Sequence, residues 1–590
     1  MSVGQSIAIR GSQLRPVSSY QLYLSMGKGS KARAFEQSLA TDAFGRIEPT
    51  VVWPQCGLSS LHELRELTIA EAQKSHGGQT VTWELRDGRK SVAQGSLSVE
   101  RASKEPVVFV SNKQGELRNA IEAGQDPLVL AGATRLLHEV RPRIYCEVAW
   151  NSADAVSAVA NTTPRLRQSE TVDYVAIAAL KWPALRAAFK AFKDKATPER
   201  RADFAKFRTE RGMLLSRFAC FEALRHRFGT PWWEWPEEWR RPDEAACRRL
   251  REGPEADEIE FVEFVQWNAD RQLGACKARA DELGMKVGLY LDVAVGVQSN
   301  GFDAWNEQGA ISRMLGVGAP PDPLAPAGQD WGLAGYNAIG LEQRWFEPFR
   351  QMLQASMRHA GAIRLDHVMG LKRLYLVPRG FGPRDGVYVP MPFEAMLALT
   401  ALESDAHRCV VIGEDLGTVP EGFRDTTRDW GIWSYLVMMF ERDGNGAFHG
   451  IDYYQPNALV TFNTHDLATY AGWRHFNDLK QKRALGFDPG ESDDDRWHAL
   501  TMLDQVLGQH GIHDNDFDAI AAFLARTKSR LMAVALEDLL ELQEQPNIPG
   551  TIDQHPNWRR RMPLCIDEIA SQVDVEGLKA ATRERMRKKA

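Results

Sequence analysis

Hydrophobic and polar positions change their period along this chain. Residues 1 to about 130 contain short runs in which apolar positions alternate with polar ones. Thr80-Val81-Thr82-Trp83-Glu84-Leu85 is one such run, Asp87-Gly88 follows, and Ser91 to Val99 is a second. A strand, a DG turn and a strand predict a hairpin, so residues 1–130 are expected to form a β-rich N-terminal domain. From about 170 to 285 the apolar residues fall three and four apart, which is the helical period. Val172-Asp-Tyr-Val175 opens a long amphipathic stretch there, which Pro183 should kink or divide. Trp232-Trp233-Glu-Trp235-Pro236 reads as an aromatic-rich turn, and Glu258 to Leu283 as another helix closed by Gly284 as its C-cap.

Beyond 285, short apolar runs alternate with helix-length segments. Lys286 to Leu291 ends in Asp292, and Gly361 to Leu365 ends in Asp366. Cys409 to Ile412 leads through Gly413 to Glu414, and Leu459 to Phe462 leads to Asn463, His465 and Asp466. The four acids stand 74, 48 and 52 residues apart, enough for a loop, a helix and a return. Such βα units predict a parallel sheet. Strands that each finish in a carboxylate suit the mouth of a (β/α)8 barrel, where active sites sit at strand C-terminal ends. An open doubly wound sheet fits the same alternation equally well.

Four acids at four strand ends suggest glycosidic chemistry. Breaking an acetal leaves positive charge on the anomeric carbon; one carboxylate attacks it while a second, protonated, donates to the leaving oxygen. Arg364 and Asp366 lie two apart on one strand and share a face. The guanidinium is therefore expected to hold Asp366 ionised, as a nucleophile requires. Glu414 follows an apolar run that should raise its pKa and keep it protonated as the acid. Asp466, beside His465, is placed to hydrogen-bond sugar hydroxyls. Any one of these acids alone is equally a helix cap or an ion-pair member; the group of four, with Arg364 in register, favours chemistry.

Composition narrows the rest. With 44% hydrophobic and 25% charged residues, the chain is neither disordered, collagenous nor a coiled-coil rod. Lys+Arg 72 against Asp+Glu 78, a net charge of -6, offers no general attraction to nucleic acid or to anionic membranes. The Arg559–Arg561 run and the basic C-terminal tail read as solvated faces. Seven scattered cysteines (56, 146, 220, 247, 276, 409 and 565) read as reduced core thiols. No leader-like start and no apolar run of membrane length is visible, so a cytoplasmic location is expected. No zinc, calcium, P-loop, GxSxG or dinucleotide signature occurs, and no metal or cofactor is expected. Trp is abundant, with 17 residues, available either to stack on flat ligands or to pack in cores.

Six ordered strings then carry a family resemblance: GLYLDVAVGV (288–297), GAPPDPLAPAGQDWG (318–332), AIRLDHVMGLKRLYLVP (362–378), VIGEDLGTVP (411–420), NTHDLAT (463–469) and NIPGTIDQHPNWRRRMP (547–563). Together they resemble amylomaltases, the 4-α-glucanotransferases related to the α-amylase superfamily, over roughly 170 to 565. The resemblance implies a (β/α)8 TIM barrel spanning 131–590, with a helical insertion subdomain at about 170–285. It implies retaining double-displacement transfer of α-1,4-glucan segments between maltooligosaccharides. On matching positions it makes Asp366 the nucleophile, Glu414 the acid/base and Asp466 the transition-state stabiliser. It makes Asp292, Arg364 and His465 donor-sugar contacts, with Asn463 in the same motif, and Trp331 a substrate-facing aromatic on a long loop after Asp292. Leu291 and Ala468 replace residues usual in the family. The family's opening Gly- and Trp-rich segment and its Ser-Pro-Tyr motif have no recognisable counterpart. Either residues 110–150 supply the first barrel strands in another form, or the barrel is incomplete. A hydrolase on the same barrel and a glucan-binding relative without turnover are the alternatives.

Overall fold

The computed structural model describes residues 169–564 except 242, 322–326 and 552, a few positions flanking these, and the backbone of six strands between 7 and 98. These six are β1 (Ile7–Gly11), β2 (Ser19–Met26), β3 (Arg33–Ala40), β4 (Ile47–Val52), β5 (Thr80–Asp87) and β6 (Lys90–Ser98). β3, β2, β5 and β6 form one antiparallel sheet, and β1 pairs with β4. β5 and β6 are the strands of the expected hairpin, with Asp87 opposite Lys90. Residues 110–150, on which the question of the first barrel strands turns, lie outside the described residues.

Four helices follow: α1 (Tyr174–Lys195), α2 (Pro198–Phe228), α3 (Glu244–Arg251) and α4 (Ala256–Glu282). Asp173, Thr197 and Asp243 cap the first three by accepting a backbone N–H two or three positions into the first turn. α4 ends as expected at Gly284, which takes φ +76° while Met285 N–H donates to Ala280 O at 3.0 Å. Pro183 does not divide α1. It lies on the exposed side with Ala179, so the carbonyl that loses its partner can turn to water. The interruption falls instead at Gly212 in α2, at φ 56°, ψ -139°. Apart from the exposed Trp182, the tryptophans of this region join cores. Trp232, Trp235, Trp239 and Trp305 pack around Phe221, and Trp267 among Phe204, Phe264 and Phe192.

Downstream come β7 (Tyr290–Val293), β8 (Val297–Gln298), β9 (Ile311–Ala319), β10 (Gln329–Tyr336), β11 (Ala362–Leu365), β12 (Arg373–Pro378), β13 (Val387–Pro390), β14 (Val410–Gly413), β15 (Trp433–Val437), β16 (Ala458–Thr461) and β17 (Leu531–Met532). Six of them form a parallel sheet in the order β7-β11-β14-β15-β16-β17. Spatial order follows chain order throughout. A doubly wound sheet reverses direction at a switch point, and none occurs among the described strands. Every residue of β11, β14 and β16 is buried, as expected of parallel strands covered on both faces. On one face Ile363, Leu365 and Val411 meet Phe349, Leu353, Met396 and Leu397; on the other Ala362, Val410 and Ile412 join Trp433, Tyr435 and Leu459.

A second sheet, antiparallel, has the order β13-β12-β9-β10-β8. It is built from the excursions that follow β7 and β11, which pair with each other through β9 and β12. Trp331 stands on β10, within the long excursion that follows Asp292, at the irregularity between the paired residues Asp330 and Leu333. Among the described residues no helix is long and apolar enough to cross a membrane, and Cys220, Cys247, Cys276 and Cys409 are not joined in disulfides.

Candidate active site

Strand register places the acids. Arg364 on β11 lies directly beside Asp292 on β7, and Leu365 beside Val293. Arg364 is 6% exposed. One guanidinium nitrogen donates to both Asp292 oxygens at 2.9 and 3.0 Å, and another meets Asp366 Oδ1 at 2.7 Å. The shared face inferred from the two-residue spacing is thus realised. Burial disfavours the charged guanidinium, but the Asp366 and Asp292 carboxylates outweigh it and hold Arg364 above its usual range.

Asp366 departs from expectation. Its pKa is raised, first by burial and then by the charges of Asp292 and Asp466, against the pull of Arg364 and His465. Pattern reading recognised the arginine but had no measure of desolvation, which depends on the whole surroundings.

Glu414 follows β14 and is 7% exposed. Its carboxylate accepts the backbone N–H of His367 at 2.8 Å and of Leu416 at 2.7 Å. It therefore sits against the residue next to Asp366. Burial, with the Asp366 charge in support, pushes its pKa up to about 7 despite those two donors. The direction is the one expected from the apolar run before it. His367 presents that N–H from the left-handed region, φ 46°. Its imidazole is held neutral by burial, its pKa lowered to about 4, and its ring meets Trp331 edge to face at 5.3 Å. Trp331 Nε1 is tied to Gln329 Oε1 at 3.1 Å.

Asp466 lies two strands further on, beyond β16. His465 Nε2 is 3.2 Å from its Oδ2, and Asn547 Nδ2 donates to its Oδ1 at 2.5 Å. Burial pushes Asp466 up, but these partners outweigh it and hold the carboxyl below the usual range. The hydrogen bond to Asp466 in turn raises His465 above an ordinary imidazole, against burial. The His465 ring packs on Trp558 at 5.3 Å. A cavity of about 250 Å³ opens beside it, lined by Thr464, Leu467, Trp558 and Arg560 among others.

Asp292, Arg364, Asp366, Glu414, His465 and Asp466 are thus gathered at one end of the parallel sheet. Arg364 feels the charges of Asp366, Asp292 and Glu414, and Asp366 feels Asp466 and His465. Asn463 differs. It is 5% exposed, and its amide nitrogen donates inward, to Ala468 O at 2.8 Å and Asp538 Oδ2 at 3.0 Å. That nitrogen is used inside the protein and is not offered to a sugar. Four residues escaped pattern reading. Tyr435 of β15 lies under the Arg364 guanidinium, 5.7 Å from its ring centre. His367, Asn547 and Asp538 act through a backbone N–H or from distant segments, where no local signal exists. Among the described residues no three His, Cys, Asp or Glu side chains converge as a metal group.

Chemically, the set offers one carboxyl near neutrality (Glu414), one held ionised (Asp466), and one pinned by a guanidinium between them (Asp366). Carboxyls whose environments push their pKa values apart are suited to separate acid and base roles.

The sequence pattern of the family described as 4-alpha-glucanotransferase matches residues 141–566. The 4-alpha-glucanotransferase of Haemophilus influenzae is 35% identical over 430 residues, covering 67% of this chain and 61% of its own length. That of Mycobacterium bovis is 33% identical over 424 residues, covering 68% and 58%. The chain thus spans about three fifths of the length of these curated relatives. Amylomaltase from Corynebacterium glutamicum superposes with a TM-score of 0.67 at 22% identity, covering 98% of this chain and 89% of that one. Amylomaltase from Streptococcus agalactiae, in complex with acarbose, gives 0.56 at 21% identity, covering 70% and 79%. At those identities the structures speak to the fold alone. The family pattern covers well over half of this sequence, and the chain belongs to the 4-alpha-glucanotransferase family.

Proposed function

We propose that this protein is a 4-α-glucanotransferase, moving α-1,4-glucan segments between maltooligosaccharides with retention of configuration. Asp366 attacks the anomeric carbon of the donor, and Glu414 protonates the leaving glycosidic oxygen. The departing glucan is replaced by an acceptor glucan; Glu414 takes the proton of its hydroxyl as that oxygen bonds to the anomeric carbon and the bond to Asp366 breaks, which restores the free carboxylate. Asp466 stabilises the flattened, positively charged sugar, with His465, Arg364 and Asp292 as donor-sugar contacts. Trp331 offers an indole face to sugar C–H groups. The observation that carries this reading is the one-ended cluster of Asp366, Glu414 and Asp466 around Arg364, with Glu414 at about 7 and Asp466 held low. A retaining pair ~5–5.5 Å apart suits neighbouring strand ends such as those after β11 and β14.

The parallel strands are read as the wall of a closed (β/α)8 barrel, supported by their unbroken sequential order. The contact of Trp331 on β10 with His367 supports transfer over hydrolysis, because apolar groups beside the site help keep water from the intermediate. The cysteines not joined in disulfides support a reducing, cytoplasmic setting.

Incubation with maltotriose tests the reading. Glucose and longer oligomers are expected together, with the total of reducing ends constant. Rising reducing ends would assign hydrolysis instead. Binding of maltotriose with no products, from a folded sample, would overturn transfer altogether.

A further inference from the structure

Asp538 has no part in the chemistry above, yet it is a carboxylate 1% exposed. It stands in the short helix Leu536–Leu539, against the loop that carries His465 and Asp466. Its Oδ2 accepts the Asn463 amide at 3.0 Å, and its Oδ1 accepts the Tyr470 backbone N–H at 2.6 Å. The Asn463 amide also reaches Ala468 O. One buried side chain therefore closes both ends of the eight-residue loop 463–470. Nine residues later in the chain, Asn547 donates to the Asp466 carboxylate itself.

The stretch between these two residues is itself fixed. Gly472 approaches the Gln543 carbonyl so closely that a β-carbon would overlap it, and Asn477 donates to the same oxygen at 3.0 Å. Gln545 Nε2 donates to Asn547 O at 2.6 Å, and Trp558 N–H to Pro546 O at 3.0 Å. Trp558 is anchored in turn. Its carbonyl accepts the Tyr174 hydroxyl, Val172 N–H donates to Arg559 O at 2.5 Å, and Arg561 N–H to Glu170 O at 3.1 Å. The edge of the helical region is thereby tied to the loop that holds Asp466.

We infer that residues 538–547 form a bracket that sets the place of Asp466, with Asp538 and Asn547 as positioning residues for the proposed transfer reaction. Asp538 fixes the ends of the loop. Asn547 fixes the carboxylate within it, opposite His465. The inference rests on the reading of Asp466 as the residue that meets the developing positive charge. Displacement of a charged group by about 1 Å can cost 10²-fold in rate.

Asn547→Ala removes only the last contact and lies on a partly exposed loop, so it should fold. Its kcat with maltotriose is expected to fall about tenfold to a hundredfold with KM within about twofold, the split that distinguishes loss of transition-state contact from loss of binding. Carbon-13 NMR of aspartate-labelled protein should show the Asp466 carboxyl titrating at higher pH than in wild type, since one donor to its ionised form is gone while His465 and Arg364 remain. Asp538→Asn should lower kcat in the same pattern, because its new amide faces the Asn463 amide, donor against donor. A folded Asn547→Ala variant with wild-type kcat and an unmoved Asp466 midpoint overturns the bracket. Wild type without products overturns the glucanotransferase reading alone, and the Asp466 midpoint then decides the bracket by itself.

Discussion

Glu414 and Arg364 show how a single side chain takes its role from its surroundings. Glu414 must be protonated to donate to a leaving oxygen. With its pKa near 7, kcat/KM for transfer is expected to fall as pH rises through about 7. A pH–rate profile checks this directly, and an alkaline limb beginning well above 8 would contradict the assignment. Arg364 separates two carboxylates while almost wholly buried. Arg364→Ala leaves them facing each other. A loss of about 1–3 kcal/mol of stability is expected, because the carboxylates left behind are partly exposed and water screens them, read as a lower denaturation midpoint in urea. Asp366 loses its counter-charge, so the acid limb of the rate profile should move to higher pH and kcat drop roughly 10²–10³-fold. At this scale much was legible. The two-residue spacing of Arg364 and Asp366 specified their shared face, and an apolar run ahead of Glu414 signalled its desolvation. The raised Asp366 and the inward-turned Asn463 amide were not legible, because both depend on residues from other strands.

At the scale of elements, position follows from short-range periodicity and from glycine. Four of the six parallel strands begin and end within a few residues of the apolar runs that predict them. β15 and β17 do not stand out in the pattern. β15 carries buried residues at 433, 435 and 437 beside half-buried ones, and β17 is only two residues long. Gly361 illustrates close approach. It immediately precedes β11, its N–H donates to Leu289 O at 2.9 Å, and its carbonyl accepts Val410 N–H at 2.9 Å. A β-carbon there would overlap the Val287 carbonyl. Gly361→Ala is therefore expected to push β11 from its neighbour and destabilise by about 3 kcal/mol, with kcat falling alongside because Arg364 and Asp366 ride on the same strand. Thermal unfolding and maltotriose turnover check both; an unchanged melting temperature would show that the strands relax freely. The pairing of β9 with β12 was not legible at this scale, because it joins two separate excursions and no short window of sequence contains both strands.

For the whole molecule, the buried site has a thermodynamic consequence. Glu414 has a folded pKa of about 7 against an ordinary 4.5. Below the lower value both folded and unfolded forms are protonated, and the group costs nothing. Between the two values the unfolded chain releases its proton and the folded one keeps it. The unfolded state is thereby favoured by about 1.4 kcal/mol for each pH unit crossed, until the folded group ionises near 7. Glu414→Gln removes this titration. Its melting temperature relative to wild type is expected to be higher at pH 8 than at pH 4.5. Scanning calorimetry at the two values checks it, and a pH-independent difference would mean that Glu414 titrates normally in the folded protein.

What the chain determines by itself is local. The period of its apolar positions sets helix against strand, because side chains recur every 3.6 or every two residues whatever surrounds them. Asp173, Thr197 and Gly284 set ends, because caps act within one turn. Acids at the close of apolar runs marked the site for the same reason. Tertiary structure alone decided which strands are neighbours, how deeply Asp366 and Glu414 are desolvated, and that Asp538 and Asn547 from distant segments hold the Asp466 loop. Those are properties of distance through space, and electrostatics and packing answer to that distance, not to separation along the chain.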